Sequence, residues 1–296
     1  MGIWGAVRPV GVVALLFVAG CAEPSSVASP PPPEPTPAVQ LPAGPDALVL
    51  RVEQVGGFTT PELLAARLPV VSVYADGRVL TEAPHIAIYP GPALTEVEMT
   101  RLDEAAVRDL VQAALDAGVA ETTDLGSPPL ADATTTRFTV VTAAETHVRE
   151  AYALTEAGGP GGGLGSDPAG LTARQVADRA RLAAFLDELT AAGPGSGTER
   201  YEPAALAAIA APWVDPDDGL EHAAQPWPGP PLPGEPLGTP PGRSCVTVTG
   251  EQLPPVLEAA RAATTATPWV GQDGALWSVT FRPLLPDESG CADLLG

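Results

Sequence analysis

The stretch PVVSVYADGRVLTE, Pro69–Glu82, sets two β-branched runs on either side of Asp76-Gly77. Asp-Gly is a favoured pair for a tight turn, and runs of this kind around it read as a β-hairpin. A lone hairpin is marginal in water, so further strands must complete the sheet. Upstream, Ala47–Val55 (ALVLRVEQV) alternates Leu48, Leu50 and Val52 with Val49, Arg51 and Glu53, and Gly56-Gly57 ends it. Between these two segments Thr59 and Glu62 have capping-box spacing and Pro61 suits a first helical turn, so a short helix is expected, stopped by Pro69. Downstream, Ile86–Tyr89 reads as a short apolar strand, and Glu96–Thr100 alternates as another.

Three longer helices follow. Asp103 caps the first, which runs to Ala117 with Val107, Leu110, Val111, Ala114 and Leu115 on one face. Thr172–Ala192 opens on a Thr172/Gln175 capping box, with Val176, Leu182, Phe185, Leu186 and Leu189 as its stripe. Gln252–Ala263 tolerates Pro254 and Pro255 only because they fall near its start. A second hairpin spans Arg137–Thr142 and His147–Leu154, and Cys245–Thr249 and Leu276–Arg282 read as strands. Gly158–Gly170 is a glycine-rich break and Asp215–Arg243 is proline-rich and irregular; Pro203–Ala211 is ambiguous, since Glu202-Pro203 and the alanines suit a helix start but the stretch is short. Hairpins interspersed with helices predict an α+β fold with a largely antiparallel sheet. The domain is expected over residues 47–296, with 47–192 and 200–296 as candidate lobes. Glu96–Thr142 and Cys245–Arg282 share a strand–helix–strand order, which raises a duplication as a candidate.

Composition removes whole mechanisms. The 296 residues carry 15 basic against 36 acidic side chains, net −21, and neither lysine nor asparagine occurs. Without lysine there is no Walker A phosphate loop, no serine–lysine acyl enzyme and no Schiff base. Strong acidity argues against nucleic acid, whose binding rests on neutralising phosphates. The absence of two AT-encoded residues points to a GC-rich genome.

The N-terminus supplies an address. Residues 1–20 hold one charge, Arg8, and an apolar core from Val10 to Ala19, too short to span a bilayer as a helix. With Val18-Ala19-Gly20-Cys21 closing that core, the segment resembles the lipobox signal peptide of bacterial lipoproteins, with the composition of an actinobacterial one. The resemblance covers about 21 residues. It implies cleavage before Cys21, acylation of Cys21, and attachment to the outer face of the cell membrane. Residues 21–46 then form the lipid anchor and a proline-rich tether, a semi-rigid polyproline spacer. Export would place Cys245 and Cys291 in an oxidising space, where such a pair usually bridges.

No catalytic signature stands out. Gly158–Gly165 holds Pro160 and opens no helix, against a dinucleotide loop. Asp215-Pro216-Asp217-Asp218-Gly219 fails the EF-hand spacing, leaving a looser cation site through Asp215, Asp217, Asp218 and Glu221 or a solvated turn. His85, His147 and His222 are not at i, i+4 spacing, and G-x-S-x-G is absent. Neither cofactor nor metal is expected. Three Pro-Trp dipeptides carry Trp213, Trp227 and Trp269. They read either as ligand-facing aromatics, suited to a glycan, or as side chains that pin proline-rich strips to the sheet. The expected function is a non-catalytic binding or scaffolding module facing the cell envelope, with a glycan or protein partner. A carboxylate-dependent hydrolase of envelope polymers is the alternative. A transporter's solute-binding lipoprotein is the third reading, disfavoured because the alternating βα pattern of two-lobed folds is missing.

Overall fold

A computed structural model describes residues 39–158, 170–191, 197–238 and 242–295. The signal segment, Cys21, most of the tether, most of the glycine-rich break and Gly193-Pro194 lie outside the described residues. The described residues fall in one compact unit. Among the described residues no helix is long and apolar enough to cross a membrane.

The fold is α+β, with two antiparallel-rich sheets. The first contains β1 (Leu48–Gly56), β2 (Val71–Tyr74), β3 (Arg78–Glu82), β4 (Val97–Arg101), β5 (Thr134–Val141), β6 (Thr146–Tyr152) and β7 (Glu199–Arg200). Their order is β6-β5-β1-β2-β3-β4-β7, every pair antiparallel. The second contains β8 (Ala205–Pro212), β9 (Gln225–Pro226), β10 (Glu235–Pro236), β11 (Ser244–Thr249), β12 (Trp269–Val270) and β13 (Leu276–Pro283). Its order is β10-β11-β8-β13-β12-β9, and only β12 and β9 run parallel. Short helices α1 (Pro61–Ala66) and α3 (Leu154–Gly158) accompany the three main ones, α2 (Glu104–Asp116), α4 (Ala173–Ala191) and α5 (Leu253–Ala262).

Strand alternation divides each sheet into two faces. In the first, Val71, Val73 and Val79 face α2 and α4, joining Val107, Val111, Leu182 and Phe185 in one core. On the other face Tyr74, Leu80 and Val97 meet Tyr201 and Leu285, from just before β8 and just after β13. In the second sheet Leu206, Ala208 and Ala210 pack under α5, while Ala205, Ala207 and Ile209 meet Ala65 of α1 and Leu284. The boundary between residues 192 and 200 thus separates the strands of the two sheets, β7 excepted. Helix α1, from the first part of the chain, lies on the second sheet.

Several local expectations are corrected. The hairpin turn has three residues, Ala75-Asp76-Gly77, with Gly77 N–H donating to Tyr74 O at 2.9 Å and Gly77 at φ +87°. Glycine is required there: a Cβ would lie 2.1 Å from Leu102 O. Thr60, not Thr59, caps α1, accepting from Leu63 N–H, because Pro61 already occupies the first helical turn. Ile86–Tyr89 is no strand; Pro84 and Pro90 flank it, and Ile86, Ile88 and Tyr89 are exposed. Val176 is 36% exposed, and the α4 stripe instead buries Arg179, whose guanidinium donates to Tyr152 O and Ala153 O. The tether ends earlier than residue 46. Val39 and Leu41 pack on the first core, and Ala143 N–H donates to Gln40 O.

The largest correction is the alanine-rich Pro203–Ala211. It forms β8, a central strand buried from Ala205 to Ala210 and paired with β11 and β13. Helix propensity loses here because both faces of the segment are covered, and small side chains let α1 and α5 approach the sheet. The candidate duplication shares element order but not topology. The crossover through α2 passes β1, β2 and β3, whereas that through α5, from β11 to β12, passes β8 and β13.

Cys245 and Cys291 are disulfide-bonded, with Cα atoms 6.0 Å apart, and tie the C-terminal turn to β11. Replacing both with alanine is expected to lower stability by about 2–4 kcal/mol, read by urea denaturation. A loss under ~1 kcal/mol would show that packing of Leu294 holds the turn alone. In that turn Asp293 Oδ2 accepts from Ser289 N–H (2.6 Å), Ser289 Oγ–H (2.9 Å) and Gly290 N–H (3.1 Å). These donors, the Ser289 amide foremost, hold its carboxyl below the ordinary carboxylate range. A depressed folded value means that the contribution is present above the unfolded pKa and disappears as pH falls through the folded one. Amide exchange at Ser289 and Gly290, corrected for intrinsic rates, should therefore accelerate below about pH 4, and Asp293→Asn should remove that dependence.

Candidate functional site

Seven strands about 4.8 Å apart make a sheet roughly 30 Å wide, and two helices about 10 Å across cannot cover it all. Helices α2 and α4 pack on each other, and α2 also packs on β5. Part of the apolar face of β2, β3 and β4 is left to line an open groove of about 600 Å³.

Its floor follows the strand period. Val71, Val79 and Thr81 alternate with residues of the opposite face, and Glu98 and Thr100 lie across from Thr81 and Val79. One wall is a second stripe of α2, Ala106, Asp109, Leu110 and Ala113, one turn apart and beside the fully buried stripe. The other wall is the last part of α4, with Phe185, Glu188 and Leu189. Around this apolar surface stand four carboxylates, Glu82, Glu98, Asp109 and Glu188. Sequence reading missed the groove. The signal lay in α2, whose apolar face, widened by Leu110 and Ala113, exceeds what one buried stripe needs.

A second cleft, of about 490 Å³, gathers Arg51, Arg67, Arg137, Arg243 and Arg282 where α1, the first sheet and the C-terminal segment meet. Protein groups already answer these charges. Arg51 donates to Ser72, Tyr74 and Asp287; Arg67 to Gln54 O and Gly56 O; Arg137 to Glu150; Arg282 to Glu288 and Arg67 O. Arg243 approaches Glu62 at 4.0 Å. Burial pushes the Tyr74 phenol well above its ordinary value, which keeps it a donor to Asp287 at 2.7 Å. The cleft is an internal latch between the two halves of the chain.

The aromatics anticipated as ligand-facing divide. Trp227 and Trp269 are 6% and 1% exposed, so they are not ligand-facing. They stack edge-to-face at 5.6 Å, each also touching Phe281, beneath α5. Trp227 Nε1–H donates to Pro230 O, and Trp227 N–H to Val270 O, which pins the proline-rich strip to β12. Trp213 is half-buried, and its N–H donates to Leu276 O.

The three histidines stay apart, each beside its own carboxylate: His85 by Glu82, His147 by Glu145, His222 by Asp218. Asp218 also accepts from Tyr89 at 2.6 Å, a hydrogen bond that with those from Leu220 N–H and His222 holds its carboxyl low. Asp215 accepts from Asp217 N–H and Asp218 from Leu220 N–H, bonds that close the turn itself. No metal-holding group of three ligands occurs among the described residues.

The arrangement defines an α+β protein with an acidic-rimmed apolar groove. No family model, no curated protein and no solved structure matches the chain.

Proposed function

We propose that the chain is an extracytoplasmic lipoprotein, acylated at Cys21, whose folded part is a non-catalytic binding module for an apolar ligand at the cell envelope. The lipobox-like Val18–Cys21 and the disulfide support the location. The groove between β2–β4 and the two helices carries the binding reading, since its volume and its apolar lining with a few polar groups fit a ligand site. Hydrolysis of a glycan calls for a carboxylic acid kept protonated by apolar burial. Glu82, Asp109 and Glu188 are exposed, which favours binding over that alternative.

The test uses the full chain carrying Cys21→Ser, purified without detergent, and the neutral dye Nile red. Saturable binding at one dye per chain is expected, and Ala113→Trp, which fills the groove, should abolish it without changing the circular dichroism. No saturable binding, or binding indifferent to Ala113→Trp, would overturn the assignment. For the anchor, labelled palmitate should enter the wild-type chain in a lipoprotein-processing bacterium and not the Cys21→Ser chain.

A further inference from the structure

We propose that the groove takes a cationic amphiphile, an apolar chain or ring system bearing an ammonium group; this rests on the binding reading above and adds the charge of the ligand. The groove supplies the apolar half of the argument. The charges around it supply the other half.

Glu82, Glu98, Asp109 and Glu188 all line the groove, and among the described residues no arginine or histidine does. Among the described residues no basic side chain forms an ion pair with Glu98, Asp109 or Glu188, and Glu82 meets only the exposed His85, at 3.3 Å. Elsewhere the scarce arginines do answer acids: Arg200 and Arg261 flank Glu96, Arg181 holds Glu121 and Asp178, Arg51 holds Asp287. Glu96 and Glu98 are two residues apart on the same stretch of chain. Arg200, paired in register with Glu98 across β4 and β7, turns to Glu96, which also holds Arg261, so Glu98 is left without an ion pair among the described residues. The C-terminal end of α4 adds the negative pole of a 19-residue helix on the same side.

Low-dielectric walls lined by charges of one sign concentrate the field in a cleft. An anionic amphiphile is repelled by that field. A neutral one buries its chain but leaves the carboxylates unanswered. An ammonium group at the mouth meets them while its chain lies on Val79, Leu110 and Phe185. No bond is made or broken.

Nile red bound to the Cys21→Ser chain is displaced with decylammonium, decanol and decanoate, each below its aggregation threshold, at pH 7 and low salt. An alkylammonium titrates near the lysine value and is fully charged at that pH. Decylammonium is expected to displace the dye at about tenfold lower concentration than decanol, a ~1.4 kcal/mol preference, with decanoate the weakest. High salt should shrink the preference. The triple variant Glu98→Gln, Asp109→Asn, Glu188→Gln should reduce decylammonium to the level of decanol, each compared as a ratio of displacement constants corrected for the variant's own dye affinity. Equal displacement by decylammonium and decanol would overturn the charge assignment and leave the binding reading standing. Absence of dye binding would overturn both. Dye binding only after deletion of residues 22–38 would show that the chain's own N-terminal segment is the occupant, and would overturn the proposal as well.

Discussion

Trp269→Ala lowers the stability of the fold by about 3–5 kcal/mol, the usual loss when a large aromatic leaves a packed core. Trp269 is 1% exposed and holds two aromatic neighbours, Trp227 at 5.6 Å and Phe281 at 5.8 Å. Val256, Leu257 and Ala260 of α5 belong to the same core. A helix laid on a sheet of alanines cannot close the void left behind, because neither Ala208 nor Ala210 reaches into it. The measurement is urea denaturation, where the midpoint should fall with the slope unchanged. Trp213→Ala, at a half-buried site past the end of β8, should cost no more than about 1 kcal/mol. Equal losses at the two positions would contradict the division of the Pro-Trp dipeptides into core and surface.

Glu288→Ala is expected to cost about as much, roughly 3–5 kcal/mol, for a different reason. The Arg282 and Glu288 side chains are only 3% and 8% exposed and meet at 2.8 Å. Glu288 also accepts from Leu285 N–H at 2.7 Å. Burial already pulls the Arg282 guanidinium below its ordinary pKa, and removing Glu288 leaves that charge in the interior without its counter-ion. The double variant Arg282→Met, Glu288→Leu removes both charges at similar volume. It should recover all but about 1 kcal/mol, the worth of the hydrogen bond lost at Leu285. Thermal and urea unfolding of the two single variants and the double variant complete the cycle. If the double variant is no more stable than Glu288→Ala, packing at the C-terminal segment, not charge, joins the two halves.

Much of the fold was legible because it is governed locally. Asp103 caps α2 by accepting from Ala106 N–H at 2.8 Å, and Thr172 and Gln175 close their box as their spacing requires. The hairpins around Gly77 and Ala143–Glu145 pair in the register that alternation demands. Where the reading failed, distant groups decided. Ala205–Pro212 has helical composition and lacks a strand's β-branched residues, bar Ile209. It is a strand because β11 and β13 flank it and α1 and α5 cover its faces. Arg179 sits in the α4 stripe because two carbonyls, of Tyr152 and Ala153, await it there.

The sequence by itself determined an antiparallel α+β domain with three main helices; the Cys245–Cys291 bridge, which the structure contains, was expected only once the lipobox resemblance set Cys21 aside. Periodicity, caps and turn residues act within a few positions of one another, so they are written into short stretches. The groove was decided only in three dimensions. It joins Val71 of β2 to Leu189 of α4, with β3, β4, α2, β5, β6 and α3 between them in the chain. It exists because two helices are narrower than seven strands, a mismatch that no single stretch of the chain contains. The same holds for the three Pro-Trp dipeptides: Trp227 and Trp269 enter the core and Trp213 stays half-buried according to which strand pairs beside each, and that pairing is settled by the whole sheet.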